Sequence, residues 1–300
     1  MTPLQELSTL IARHAGPLRP AIVQTAIPGL VVSAQSTPSE PIHHVFEPMF
    51  VLVVQGTKKV MLGERVFRYG AGEYLVVSVE LPIASHIEFA TVNEPCLAVG
   101  LMLKPTMIAS LLLERAGNMP RSAMVKHPGL GVSPASHEVG DAVLRLLRLL
   151  DRPDDAVVLA PAIEREILWW LLNGPQGAMV RQIGLADSRL ARIGHAIRWI
   201  RANYAQLLRI EDLSALAGMS ESSFHRHFRA ITTMTPGQYQ KQVRLQEARV
   251  RLLTHTDDVA TIGFSVGYNS PSQFSREYSR FYGIPPGRDA IRLREGQSVE

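Results

Sequence analysis

The sequence predicts an α+β protein: an amino-terminal β-barrel with a helical hairpin, then a carboxyl-terminal all-α domain with two helix-turn-helix motifs. Three observations carry this. The first hundred residues are short apolar runs broken by turn residues. After Lys104 the apolar pattern changes to helical period. Near the end one short amphipathic unit occurs twice, as "MSESSFHRHF" from Met219 and "SPSQFSREYS" from Ser270. With 300 residues, 46% of them apolar, the chain has material for about two domains and an ample core.

The strand candidates are "GLVVSAQS", "PMFVLVVQG", "KKVMLG", "RVFRYGAG", "EYLVVSV", "HIEFA" and "CLAVGLML". Gly63-Glu64 suits a hairpin turn, and Gly70-Ala71-Gly72 another corner. Strands at this spacing suit a small barrel or sandwich. The segment "PTMIASLLLERAG" then starts with Pro105 and stops at Gly117, as a helix would. A loop is expected from Asn118 to Pro134. Two helices follow, "HEVGDAVLRLLRLLD" and "APAIEREILWWLLNG", joined by the turn "RPDD". Val139, Val143, Leu146, Leu147 and Leu150 share one face. Such a hairpin packs on its own barrel or on the same hairpin of a second subunit. "GPQGAMV" reads as a connector, and from about Asp187 the chain is helical and turn-punctuated to Gly287. The expected domains are therefore 1–104, a β-barrel; 105–186, a helical dimerisation or linker region; and 187–300, the duplicated domain.

In the first copy, "IEDLSALAG" is a short helix closed by Gly218. Ser220 suits the next N-cap, and Glu221 suits the positive end of that helix. Phe224 and Phe228, four apart, face inward. Ser222, Ser223, His225, Arg226 and Arg229 share the outer side. In the second copy Ile262, Val266 and Gly267 repeat Leu213, Ala217 and Gly218. Asn269 or Ser270 caps the next helix, with Pro271 in its first turn. Phe274 and Tyr278 are the inward pair, with Ser272, Gln273, Ser275 and Arg276 on or near the other side. Each copy ends alike, in "TPGQY" and "PPGRD". A helix, a tight Gly turn and a helix with a polar outer face make a helix-turn-helix. The segment from Pro236 to Leu253 between the copies is rich in helix formers. It spans about 27 Å, near the ~34 Å between successive major-groove faces on one side of DNA.

Net charge is +4. Residues 187–300 hold 16 Lys/Arg against 11 Asp/Glu, and the rest holds 15 against 16. The surplus therefore lies in the last third, which suits a polyanion partner but also ordinary surface asymmetry, the better reading from charge alone. Cys96 is the single cysteine, so no internal disulfide forms, and a reducing, cytoplasmic setting is expected. The start "MTPLQELSTL" does not read as a signal peptide, and runs such as "MFVLVV" and "ILWWLL" are too short to span a bilayer, so no membrane partner is expected.

At "LSALAGMSESSFHRHFRAITTMTPGQY", "RLQEARVRLL" and "IGFSVGYNSPSQFSREYSRFYGIPPGR" the chain resembles the AraC/XylS family of transcription regulators, over about Arg192 to Arg292. The resemblance implies a unit with two helix-turn-helix motifs on double-stranded DNA. The family pattern has a basic residue after the last aromatic of each copy; here these are Arg229 and, as a departure, Ser279. The stretch from "FEPMFVLVVQGTKKVMLG" through "YGAGEYLVVSVELPIASHI" is similar to the cupin-like sensor domain of one AraC subgroup. That implies a cupin-like barrel taking a small-molecule effector, helices that form a homodimer, and RNA polymerase as a further partner. The effector residues are unassigned.

Carried onto matching positions, the resemblance puts Ser222, His225 and Arg226 of the first reading helix at base edges, and Ser272, Gln273 and Arg276 of the second. Arg pairs guanine in a bidentate manner and Gln suits adenine. Arg229 is the phosphate candidate. Ser220, Ser223, Asn269 and Ser270 cap helices, touch phosphate, or both. Arg244 and Arg251 on the linking helix read as solvated or salt-bridged. The alternative is a cupin-type metal-dependent enzyme carrying a DNA-binding domain. Against it, His43 and His44 are adjacent, so on a strand they point to opposite faces, and with His86 and Glu47 they fall short of a metal set. Cys96 lacks an evident base, and no phosphate loop or nucleophile triad stands out. No catalytic residue, cofactor or metal is expected.

Overall fold

A capping box opens the computed structural model, which describes residues 2–16, 22–114, 128–254 and 257–297. Thr2 Oγ1 accepts from the Gln5 amide at 3.3 Å, and Gln5 Oε1 accepts from the Thr2 amide at 2.8 Å. With Pro3 at its first position, helix α1 (Pro3–Ala15) follows. Leu7, Leu10, Ile11 and Ala15 make its buried face. The sequence reading took this whole region as β, although the cap and the three- and four-residue apolar spacing were there to be read.

Contacts divide the chain into two compact units, Met1–Gly194 with Ala230–Thr233, and His195–Arg229 with Met234–Glu300. The first carries β1 (Val23–Gln24), β2 (Leu30–Gln35), β3 (Ile42–Phe46), β4 (Met49–Gln55), β5 (Thr57–Leu62), β6 (Arg65–Gly70), β7 (Glu73–Val77), β8 (Leu81–Phe89), β9 (Cys96–Met102) and β10 (Leu130–Pro134). They form two antiparallel sheets, ordered β1-β2-β9-β4-β7-β10 and β3-β8-β5-β6. This is the double-sheet form of a cupin-like fold, not a single closed ladder. Gly63-Glu64 turns β5 into β6, as read, and Gly72, at φ 81°, turns into β7. Helix α1 lies against β2, β4 and β9. The expected loop from Asn118 to Pro134 is a strand at its end: Leu130 to Pro134 pair with Val77 to Glu73 on β7. A five-residue edge strand ending in Pro carries too little pattern to read, and Pro is tolerated there because an edge leaves its missing N–H unneeded. Residues 118–127 of that segment, and the expected helix stop at Gly117, lie outside the described residues.

Helices α2 (Pro105–Glu114), α3 (His137–Arg148) and α4 (Pro153–Asn173) complete this unit with α5 (Gly177–Gly184). The apolar face of α3 is buried within the chain, packed on α1 and α4. Helix α4 begins at Pro153, earlier than read, and runs through Pro161. The "GPQGAMV" connector is corrected: most of it is α5, with Met179, Val180 and Ile183 buried. Among the described residues no helix is long and apolar enough to cross a membrane.

The second unit is helical. It takes in α6 (Arg189–Ala202) from His195 on, α7 (Ile210–Leu216), α8 (Glu221–Thr232) as far as Arg229, α9 (Pro236–Thr254), α10 (Val259–Ser265), α11 (Pro271–Tyr282) and α12 (Pro286–Gln297). Leu245, Ala248 and Leu252 of α9 share a core with Ile262, Val266, Phe274, Tyr278 and Ala290.

Candidate nucleic-acid interface

The two copies close their first helices with the same backbone device. The Met219 amide donates to Ser214 O at 2.9 Å and the Gly218 amide to Ala215 O at 2.9 Å. The Tyr268 amide donates to Gly263 O at 3.1 Å and the Gly267 amide to Phe264 O at 3.0 Å. Each is a Schellman turn, which needs a left-handed residue, and Gly218 (φ 60°) and Gly267 (φ 95°) supply it. Each turn sets the start of the next helix, α8 or α11. On α11 the cap resolves to Ser270, whose Oγ accepts from the Gln273 amide at 3.3 Å.

Phe224 and Phe228, 5.5 Å apart, and Phe274 and Tyr278, 5.6 Å apart, are fully buried and fix the roll of α8 and α11. At 100° per residue, Ser222, Arg226 and Arg229 then fall opposite the buried pair with His225 at the flank, and all four are exposed. Ser272 and Arg276 hold the equivalent places on α11, also exposed, with Gln273 at the flank. Arg226 donates to Ser223 Oγ at 3.4 Å, and Arg276 to Ser272 O at 3.3 Å. Among the described residues neither guanidinium meets a carboxylate. Gln273 Nε2 donates to Glu277 Oε1 at 3.3 Å. Ser279 turns its hydroxyl back onto Ser275 O at 2.7 Å, so the position matching Arg229 presents no charge.

Four residues support these helices; of them the sequence reading named Arg244 and Arg251, in other roles, and passed over Glu277 and Asp289. Arg244 is half-buried and, among the described residues, makes no salt bridge. It donates to Tyr204 O at 2.6 Å, Gly267 O at 2.8 Å and Gln206 O at 2.9 Å, with its guanidinium 5.9 Å from the Tyr268 ring. Burial draws its pKa down, against Tyr268 and Glu277. Arg251 donates to Tyr204 Oη at 2.8 Å and, among the described residues, has no ion pair. Glu277 accepts from Tyr268 Oη at 2.9 Å and lies 3.4 Å from Lys241. Burial alone would raise the Glu277 pKa; the hydrogen bonds from Tyr268 and Gln273 and the Lys241 charge hold it below the usual value. Asp289 is fully buried, accepts from Tyr278 Oη at 2.7 Å, and pairs with Arg249 at 2.9 Å. Its only signal was the "PPGRD" echo of "TPGQY".

In the first unit, His43 pairs with Ala84 and His44 with Ile83, so the two imidazoles take opposite faces of β3. Among the described residues no three His, Cys, Asp or Glu are grouped to hold a metal ion.

A family model described as an AraC-type transcriptional regulator N-terminus matches residues 26–179, and a helix-turn-helix domain model matches residues 213–290. The transcriptional regulator ArgR of Pseudomonas aeruginosa is 27% identical over 162 residues, 54% of this chain and 49% of ArgR. The transcriptional activator RhaS of Escherichia fergusonii is 35% identical over 157 residues, 49% of this chain and 55% of RhaS. The chain thus spans about half the length of these curated relatives. Among solved structures, apo ToxT from Vibrio cholerae superposes with a TM-score of 0.56 at 10% identity, over 90% of this chain and all of ToxT. ToxT bound to an unsaturated fatty acid superposes with a TM-score of 0.52 at 9% identity, over 90% of this chain and 97% of ToxT. At such identities the likeness is one of fold. Because the amino-terminal family model takes in just over half of the sequence, and the duplicated helical unit follows it, the chain belongs to the AraC family of transcriptional regulators.

Proposed function

We propose that the chain is a sequence-specific regulator of transcription that reads double-stranded DNA with α8 and α11. Ser222, His225 and Arg226 face the bases of one half-site, and Ser272, Gln273 and Arg276 those of the other. Arg229 holds a phosphate. The observation that carries this is the repeated, exposed Arg, held opposite a buried aromatic pair in both copies and without a carboxylate among the described residues. An exposed cation left without a protein anion suits a polyanion.

On this reading residues 1–104 sense a small molecule, 105–186 join two copies, and 187–300 bind DNA in the cytoplasm. The fatty acid held by ToxT supports an effector in the amino-terminal unit. Apolar Val157 and Val158, 79% and 74% exposed on α4, support a homodimer; sedimentation of the free protein at micromolar concentration should give twice the chain mass, and a single-chain mass would remove this part. RNA polymerase is the partner through which the bound regulator acts.

Arg226→Ala and Arg276→Ala test the reader directly. Each should weaken operator binding by about 1–3 kcal/mol and relax the preference at one base pair. Operator fragments selected from genomic DNA, then titrated with both variants, give the measurement. Parent-like affinity and preference in both would remove α8 and α11 as readers.

A further inference from the structure

We propose that the inner face of the double sheet holds a small organic carboxylate against Lys58. This rests on the effector reading above and names the chemistry of that site. On β5, Lys58 shares its side of the strand with Val60 and Leu62, which are buried. It pairs with Tyr69 on β6 and Ile87 on β8, both buried as well. Its Nζ reaches Ser33 Oγ at 3.3 Å, and Ser33 lies on β2, in the opposite sheet. The ammonium therefore stands between the sheets. The residue as a whole is half-buried, with its ammonium end on the inner side.

The chain supplies this cation with no anion among the described residues. Cys96, on the strand beside Ser33, is a neutral thiol because burial pushes its pKa up, against the charge of Lys58. His44 faces the same interior, and burial pulls its imidazole down, with Lys58 adding to the effect. Burial pushes the Tyr69 hydroxyl up. Burial also lowers the pKa of Lys58 itself. An ammonium has three donors, and Ser33 takes one. A charge in an apolar surround calls for an opposite charge with hydrogen bonds. A carboxylate answers both needs, and the neighbouring Val60, Ile87 and Ala98 suit a hydrocarbon or aromatic body. A cationic ligand would be repelled. A phosphate dianion would ask for a second cation or a fork such as Arg.

The test uses the full-length protein with hexanoate, octanoate and benzoate, against hexanol, octanol and benzyl alcohol. Thermal melting and the alkylation rate of the single cysteine, Cys96, by iodoacetamide are the readouts, and neither needs DNA. At least one acid should raise Tm and slow alkylation, while its matched alcohol does neither. Lys58→Met should keep its fold and bind that acid at least about tenfold more weakly. The proposal is overturned if no acid moves either readout, if the alcohols act as well as the acids, or if Lys58→Met responds like the parent. Should Lys58→Met fail to fold, Cys96 protection in the parent and in Ser33→Ala decides the matter: it must be acid-specific and weaker in Ser33→Ala. Operator binding by Arg226→Ala and Arg276→Ala is a separate measurement, so either idea can fail alone.

Discussion

One exchange of atoms between the two copies lies beneath the outward helices. Phe228 packs edge-on against Tyr239, with ring centres 5.7 Å apart. Fifty residues on, Tyr278 stands where Phe228 did and Asp289 where Tyr239 did, joined by a 2.7 Å hydrogen bond. The hydroxyl has moved from the supporting helix to the reading helix, and a carboxylate now receives it. Asp289 is buried, so its charge needs Arg249 beside it. Arg244 has a related role, holding three backbone carbonyls, one of them the Gly267 turn ahead of α11. Charge-assisted hydrogen bonds contribute about 1.5–3 kcal/mol each before losses to non-additivity. Arg244→Met should therefore destabilise the protein by about 2–4 kcal/mol, and Arg251→Ala, with one bond to a hydroxyl, by about 1 kcal/mol. Urea unfolding of both variants gives the comparison. Equal losses would mean that the Tyr204 and Gly267 carbonyls find water when Arg244 is gone.

At the level of elements, what was legible follows from how many residues share one pattern. Helices α8, α9 and α11 each run at least twelve residues with strong signals, and their starts were read to within a residue. The turns at Gly218 and Gly267 were read because only a left-handed conformation explains Gly there. β10 and α5 were missed because five and eight residues carry little periodicity. The start of α4 was missed because Pro161 reads as a first-turn residue, whereas the helix runs through it and forgoes one backbone bond. Of the site, the outward residues were legible from the spacing of the aromatic pairs. The supports Arg244, Glu277 and Asp289 were not, since each acts across helices that are distant in sequence. Gly267 adds a constraint that spacing does not reveal: a Cβ there would lie 2.4 Å from Ala205 O. Gly267→Ala meets both a positive φ and backbone it cannot displace cheaply, and should cost roughly 2 kcal/mol or more. A thermal melt that leaves this variant within a degree of the parent would show that the α10–α11 turn relaxes freely.

For the molecule as a whole, the matter is how the charge surplus of residues 187–300 meets DNA. Each phosphate neutralised by the protein releases condensed counterions, so the slope of log affinity against log salt counts such contacts at about 0.9 each. Arg229 leaves the last turn of α8 exposed and charged. Its counterpart Ser279 is half-buried and bonded to its own helix, so α11 lacks the matching contact. On the proposed function the two helices would therefore differ in grip as well as in bases, α8 holding backbone and sequence and α11 mainly sequence. Ser279→Arg should restore the symmetry. It should steepen the salt slope by about 1 and raise affinity on all sequences alike, leaving the order of preferred operators unchanged. Arg229→Ala should do the reverse. Fluorescence anisotropy on one operator and one scrambled duplex, from low to physiological salt, separates these outcomes. A Ser279→Arg variant with the parent's slope would place that end of α11 away from the phosphates, and with it the proposed orientation of the second reader.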